Sequence, residues 1–291
     1  DGGSMMLKTL GLGDNVVDEY LDQGRLYPGG NALNFAVFAA ELGCQSAYMG
    51  VFGDDLAGWH VRRAAAAKGL DISQCRVERG ENGHAYVELR EGERRFLRSN
   101  RGGVSREKPL QIDAAALDYI AAFNLVCTSV HSYINHALPL IKASGVKLAY
   151  DLSERRDAEL LAAVCPHLDF AFSSCGKLSP SETLDFIQTL HACGAPMVLA
   201  TRGAEGALFS DGRQVFSQAA VNLDRVIDTM AAGDGFLTAF LVNLLQKQAA
   251  SPWDLAVQEA LRSAAAFSAK VCQWEGSWGM GLDLNSNDGT V

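Results

Sequence analysis

The stretch Asp228-Thr229-Met230-Ala231-Ala232-Gly233-Asp234-Gly235 runs directly into an apolar stripe of Phe236, Leu237, Phe240, Leu241, Leu244 and Leu245. That spacing is helical, so Gly233 and its neighbours are expected where a helix presents N–H groups without a partner inside it. Such an end attracts phosphate. Asp234 then falls in the first turn, close enough to take a proton from an alcohol attacking a phosphoryl group that the amides of Ala231, Ala232 and Gly233 hold. A plainer reading is a flexible turn, with Asp234 a carboxylate favoured by the helix dipole. On this segment alone the two readings stand level.

Working outward, strand-like apolar runs at 47–51, 123–127, 147–151, 168–173 and 196–201 alternate with helical patterns at 113–122 and 179–193. That alternation argues for an α/β fold with parallel strands and crossover helices. A chain of 291 residues that is 48% hydrophobic buries a sizeable core and suits one large α/β domain with a small appendage. No Pro- or Ser-rich linker divides it, and no internal repeat is evident. The runs His84-Ala85-Tyr86-Val87-Glu88-Leu89-Arg90 and Arg94-Arg95-Phe96-Leu97-Arg98, separated by Glu91-Gly92-Glu93, read as a hairpin.

Three further glycine-bearing segments invite ligands, each with a structural alternative. In Gly29-Gly30-Asn31-Ala32-Leu33-Asn34 the glycines permit close backbone approach, and Asn31 offers donor and acceptor to a polyol or caps a helix over 33–42. Asp14 follows the first apolar strand, where a carboxylate binds hydroxyls or simply makes a turn. Gly11-Leu12-Gly13 there invites a dinucleotide reading, but Val16 stands where the third glycine of that fingerprint belongs. Thr201-Arg202-Gly203-Ala204-Glu205-Gly206-Ala207 suits a phosphate loop or an ordinary strand connection.

Taken in order, these segments resemble the ribokinase-like (PfkB) sugar kinases, whose signature Asp-Thr-x-Gly-Ala-Gly-Asp is close to residues 228–234. The resemblance covers roughly 7–280 and implies a three-layer α/β/α domain, with a central mostly parallel sheet and a small β-sheet lid from about 16–26 and 84–98. It implies Asp234 as general base and Ala231, Ala232 and Gly233 as the anion hole. It places Thr201, Gly203, Gly206 and Thr229 on the nucleotide and Asp14, Gly29, Gly30 and Asn31 on the sugar. ATP and Mg2+ follow as cofactors, with K+ near the segment before Asp228 in many relatives. The strings Gly13-Asp14-Asn15-Val16-Val17-Asp18, Cys165-Pro166-His167-Leu168-Asp169-Phe170-Ala171-Phe172 and Glu275-Gly276-Ser277-Trp278-Gly279 are similar to the fructosamine-kinase branch. The acceptor implied is the 6-hydroxyl of a fructosamine such as fructoselysine. Another ketose, a nucleoside or a sugar phosphate stands as an alternative, as does a sugar-binding regulator without turnover.

Two departures from the family pattern stand out. Ala231 replaces a glycine, so its Cβ either crowds the phosphate or opposes a positive φ. Ser173-Ser174-Cys175-Gly176 stands where many relatives carry Asn-x-x-Glu, and Glu182 is not at that spacing, so no protein ligand for magnesium can be named. Arg94, Arg95 and Arg98 suit a solvated strand face, with Arg98 singled out as a contact for an anionic group on a substrate. The exposed hairpin edge offers a surface for a homodimer through the lid.

A formal net charge of −9, without a basic stripe, argues against nucleic acid as a partner. Seven cysteines, none spaced C-x-x-C, suggest neither a disulfide framework nor a zinc site, and His131 with His136 lacks a third ligand. No run of eighteen apolar residues and no signal segment are evident, so no membrane contact and a cytoplasmic location are expected by default. Asp1-Gly2-Gly3-Ser4 looks like a cloning remnant and 285–291 a loose tail. Val257, Leu261, Ala264, Phe267 and Val271 pattern a late helix, read mostly as core although its family counterpart borders the adenine.

Overall fold

Alternate residues along each central strand go to opposite sides, and this builds the architecture. Phe170 and Phe172 join one buried cluster while Ala171 between them joins the other; Tyr48 and Phe52 oppose Met49 and Val51 in the same way. Strands apolar on both sides need cover on both sides. The computed structural model describes residues 6–90 and 93–285. The start at Asp1-Gly2-Gly3-Ser4, the turn at Glu91 and Gly92 and the tail from residue 286 lie outside the described residues, as does the Arg94 side chain.

Among the described residues fourteen strands run in chain order: β1 (Lys8–Gly13), β2 (Val16–Tyr20), β3 (Arg25–Gly29), β4 (Gln45–Gly53), β5 (Arg76–Glu78), β6 (His84–Arg90), β7 (Glu93–Ser99), β8 (Leu125–Ser129), β9 (Lys147–Asp151), β10 (Phe170–Ser174), β11 (Met197–Thr201), β12 (Ala207–Ser210), β13 (Val215–Gln218) and β14 (Leu282–Asp283). The large sheet has the order β13-β12-β11-β10-β9-β8-β1-β4-β5, parallel from β11 to β5 and antiparallel through β12 and β13.

The helices are α1 (Asn31–Glu41), α2 (Leu56–Ala67), α3 (Val104–Glu107), α4 (Ala114–Ile120), α5 (Leu138–Ala143), α6 (Ala158–Val164), α7 (Pro180–Ala192), α8 (Ala232–Lys247) and α9 (Trp253–Val271). Residues of α1, α2, α8 and α9 fill one buried cluster and residues of α4 to α7 the other, giving the expected three layers.

The chain proceeds from β1 to β4 in one direction and from β8 to β11 in the other, so the strand order reverses between β1 and β8. Open α/β sheets bind ligands in the crevice outside the carboxyl ends of their strands at such a reversal. Those ends here are Gly13 with Asp14 after it, Ser129, Asp151, Ser174 and Thr201.

A second sheet, β14-β3-β2-β6-β7, takes in the hairpin and the segment after β1 and adds the strand through Gly29 and the short β14. Its Tyr20, Tyr27 and Val87 bury against Met230, and the Tyr20 hydroxyl donates to Asp228 Oδ2 at 2.5 Å. The loop that precedes α8 is thereby tied to the small sheet.

Some boundaries differ from those expected. The strand read at 123–127 begins at Leu125, because Phe123 closes the turn after α4 and packs edge-on against Tyr119, ring centres 5.1 Å apart. The helix read at 33–42 begins at Asn31, which therefore cannot cap it. Glu182, weighed as a stand-in for the absent family glutamate, is committed to the capping box of α7 with Ser179.

Candidate active site

One end of the crevice is built around Asp14. Its Oδ2 accepts from the Asn31 N–H at 2.6 Å, and its Oδ1 accepts from the Ala32 N–H and from the Ser129 and Ser132 hydroxyls at 3.2, 2.7 and 2.9 Å. The carboxylate thus performs the capping weighed as the alternative for Asn31, with three donors on Oδ1 and one on Oδ2. Gly30 comes just before this turn with φ 108°, and a Cβ there would lie 2.6 Å from Asn15 Cα, so only glycine lets the chain enter α1 so close to Asp14.

Freed from capping, Asn31 donates from Nδ2 to Asp151 Oδ2 at 2.6 Å. One turn on, Asn34 Nδ2 donates to Asp234 Oδ2 at 2.7 Å, and Trp278 Nε1 donates to Asn34 Oδ1 at 2.8 Å. The indole fixes which way the amide faces. Asp234 lies in the first turn of α8 as expected, half-buried, with the charge of Asp151 acting on it. Three carboxylates therefore converge, and among the described residues none accepts a hydrogen bond from lysine or arginine.

Their electrostatics follow from that crowding. Burial pushes Asp151 up to about 6, against the opposing hydrogen bonds from Ser153 and Asn31. Burial and then the neighbouring Asp151 hold Asp234 well above the usual carboxylate range, although the Asn34 hydrogen bond pulls the other way.

The other end of the crevice has another character. A cavity of about 570 Å³ is bounded by Ser174, Thr201, Gly203 and Gly206 on the sheet side, by Thr229, Ala232 and Gly233 at the start of α8, and by Ala265, Ser268 and Cys272 of α9 and its end. The late helix thus turns one side to the core, as read from Val257 to Val271, and another to this cleft. Where Gly233 lacks a Cβ, the nearest groups would be the Phe172 ring at 3.5 Å and the Thr201 and Ser174 hydroxyls at 3.9 and 4.0 Å. Gly206 serves packing as well: its Cβ would meet Gln218 O at 2.0 Å. Ala231 sits in the left-handed region, φ 57° and ψ 12°, so of the two readings of its Cβ the backbone one holds.

No group of three or more His, Cys, Asp or Glu side chains that could hold a metal occurs among the described residues. Glu154, which lines the cleft, pairs with Lys177 at 2.7 Å.

A profile of the pfkB family carbohydrate kinases matches residues 3–280. This chain belongs to that family. It is an ATP-dependent sugar kinase, a phosphotransferase with an alcohol as acceptor. It is 39% identical over 284 residues to the fructosamine kinase FrlD of Bacillus subtilis, covering 97% of each chain. It is 32% identical over 276 residues to the fructoselysine 6-kinase of Escherichia coli, covering 94% of this chain and all of that one. Among solved structures, the ribokinase of Giardia lamblia superimposes with a TM-score of 0.79 at 16% identity, covering 94% of each. The Arabidopsis thaliana ribokinase complexed with ribose and ATP gives 0.74 at 19%, covering 90% of this chain and 92% of that one. The fold of the kinase is ribokinase-like.

Of the residues singled out from sequence, Asp14, Asn31, Asp234 and the 29–30 turn come together at one end of the crevice, and Thr201, Gly203, Gly206, Thr229, Ala232 and Gly233 at the cleft. Arg98 does not join them. It is exposed on β7, with its guanidinium 4.1 Å from the centre of the Tyr86 ring. Asp151 and the orienting role of Trp278 escaped the sequence reading. The signal for Asp151 was a carboxylate closing an apolar strand, at the end where parallel sheets bind ligands.

Proposed function

We propose that the kinase transfers the γ-phosphoryl group of ATP to the 6-hydroxyl of a fructosamine such as fructoselysine. The observation that carries this reading is the meeting of Asp14, Asp151 and Asp234 with no lysine or arginine hydrogen-bonded to any of them among the described residues. A fructosamine carries a protonated amine next to its sugar, and such a cation suits a pocket of uncompensated carboxylates. The relatives named fructosamine kinase and fructoselysine 6-kinase support it from a separate side.

The chain's groups divide the work by position. Asp14 Oδ2, which accepts one hydrogen bond, and the amide of Asn31 orient hydroxyls, and Asp234 accepts the proton of the attacking one. Amides of Ala231, Ala232 and Gly233, at the positive end of α8, stabilise charge on the moving phosphoryl group. Thr201, Gly203, Gly206 and Thr229 place the nucleotide. Magnesium suits a site without a protein cage, since it keeps several waters and binds through phosphates; Glu154 and Ser174 would face its hydration shell. When bound it neutralises charge on the phosphates. The small sheet, tied to the loop before α8 through Tyr20, excludes water from the acceptor.

ATP consumption over a panel of fructoselysine, other fructose–amino acid conjugates, free ketoses and nucleosides tests the reading. Turnover is expected to be highest, by at least tenfold in kcat/KM, with one conjugate. Equal or greater turnover of a free ketose or nucleoside sinks it.

A further inference from the structure

Two residues bordering the crevice at Asp14 hold a backbone that glycine would hold more easily. Arg101, two positions after β7, and Tyr133, four positions after β8, both have φ 57°. Left-handed residues that carry a side chain concentrate where a ligand is held. The two are joined, since the Tyr133 hydroxyl donates to the Arg101 carbonyl at 2.5 Å. Tyr133 in turn follows Ser132, whose hydroxyl donates to Asp14 Oδ1 at 2.9 Å. From the other side, a Cβ on Gly83 would lie 2.5 Å from Asn15 O and 3.5 Å from Gly102 O, so the same turn abuts the residue after Asp14. Two routes therefore fix Arg101 beside the end of the crevice that holds Asp14.

The turn is built to present one side chain. Gly102 and Gly103 follow Arg101 with φ 106° and 49°, and a Cβ on Gly103 would lie 2.2 Å from Glu81 O. Asn100 Oδ1 takes the N–H groups of His84 and Gly102, and the Arg101 N–H goes to Ser99 Oγ. Of three consecutive positive-φ positions only 101 carries a side chain, and its guanidinium is exposed without a hydrogen bond or ion pair among the described residues. The same holds for Arg106 on α3, whose Cβ would stand 3.5 Å from a Cβ on Gly102. Glu81 and Glu107, on the adjoining segments, pair with neither.

Two unpaired arginines thus flank an end of the crevice where three carboxylates meet no lysine or arginine. A ligand that spans both carries a cation and an anion. A fructosamine does so, with an ammonium beside the sugar and a carboxylate on its amino-acid half, and the planar fork of arginine takes a carboxylate through two parallel hydrogen bonds. We infer that Arg101, assisted by Arg106, binds the carboxylate on the amino-acid half of the acceptor and so sets the preference for fructose–amino acid conjugates over free ketoses. This rests on the fructosamine reading above. The left-handed backbone at Arg101, held by Tyr133, keeps the guanidinium at a set distance from the carboxylates that face the sugar.

Steady-state kinetics of the full chain test this with fructosylglycine and fructoselysine, each as free acid and as carboxamide, and with fructose 1-phosphate. The unaltered protein should favour the better conjugate over its carboxamide by about tenfold or more in kcat/KM, as loss of a charge-assisted contact implies. Arg101→Gly should bring the acid down to the level of the carboxamide through KM, with kcat little changed. Glycine suits φ 57°, so the melting temperature should not fall and misfolding would not account for the loss. Arg101→Lys should keep part of the preference, Arg106→Gln should lower it less than Arg101→Gly, and Arg98→Gln should leave it unchanged. Equal kcat/KM for acid and carboxamide in the unaltered protein, or an equal fall of both in Arg101→Gly, overturns the inference and leaves the fructosamine reading in place. Turnover of fructose 1-phosphate but of neither conjugate, lost in Arg101→Gly, overturns the carboxylate and the fructosamine together and gives the anion site to a phosphate.

Discussion

The two ends of the crevice recognise charge by opposite means. The end proposed for the sugar is built of side chains, with Asp14, Asp151 and Asp234 held by the amides of Asn31 and Asn34 and by serine hydroxyls. The end proposed for the nucleotide is built of backbone and space: a left-handed residue, a helix start and a glycine facing two hydroxyls across a gap. Charge reversal or neutralisation should dominate at the first, and added volume or altered φ at the second.

The largest effect belongs to Asp234→Asn. Loss of a general base typically costs about 10²–10⁴-fold in turnover. The same change should stabilise the free protein, and the sign follows from linkage. Asp234 is raised in the folded state, so the folded protein binds more protons than the unfolded chain over the window above the ordinary carboxylate pKa of about 4. Stability therefore falls as pH rises through that window, and removing the titration restores it. Melting at pH 7.5 should rise in Asp234→Asn, with the gain fading near pH 4; a lower melting temperature at pH 7.5 would break the side-chain account of this end.

Next in size is Gly233→Ala. Its Cβ meets only ordinary contacts, the nearest at 3.5 Å, so the fold should hold while the gap before the Thr201 and Ser174 hydroxyls narrows. A rise of about tenfold in KM for ATP, equivalent to roughly 1.4 kcal/mol, with unchanged acceptor affinity is expected. If acceptor affinity fell instead, the division between the ends would be wrong. Trp278→Phe comes third. It removes the donor that aims the Asn34 amide at Asp234 and leaves a buried carbonyl oxygen without that bond. A several-fold loss of kcat, with KM for ATP unaffected, is expected from steady-state kinetics.

The same contrast explains what could be read from sequence. The nucleotide end depends on local spacing, so residues 228–235 revealed the helix start, Asp234 and the misfit of Ala231 from one contiguous string. Asp14 and Asn31 were legible through turns of the same local kind. Asp151 was not, because the Asn31 amide that donates to it is 120 positions away and meets it only once β9 takes its place beyond β8 in the sheet. Trp278 lay in a recognisable string, but its bond to Asn34 spans 244 positions and depends on the chain returning past α1. The alternative that Asn31 caps α1 fails for a similar reason: the carboxylate that caps α1 comes from the end of β1, 17 positions earlier.

The smallest and most discriminating effect is that of Ala231→Gly. The alanine holds φ 57°, where an L-residue costs roughly 1–2 kcal/mol relative to glycine, while glycine gives back part of this through a more flexible unfolded chain. A net gain of about 1 kcal/mol, or about 2–4 °C in melting temperature, should follow. Turnover should change less than about threefold, because the amide at 231 already points as the helix start dictates and the Cβ opposes φ rather than the phosphate. A large rise in turnover with no gain in melting temperature would mean that the methyl group intrudes on the phosphoryl path. The nucleotide end would then be limited by volume at Ala231 as it is at Gly233, and the left-handed backbone would carry no cost of its own.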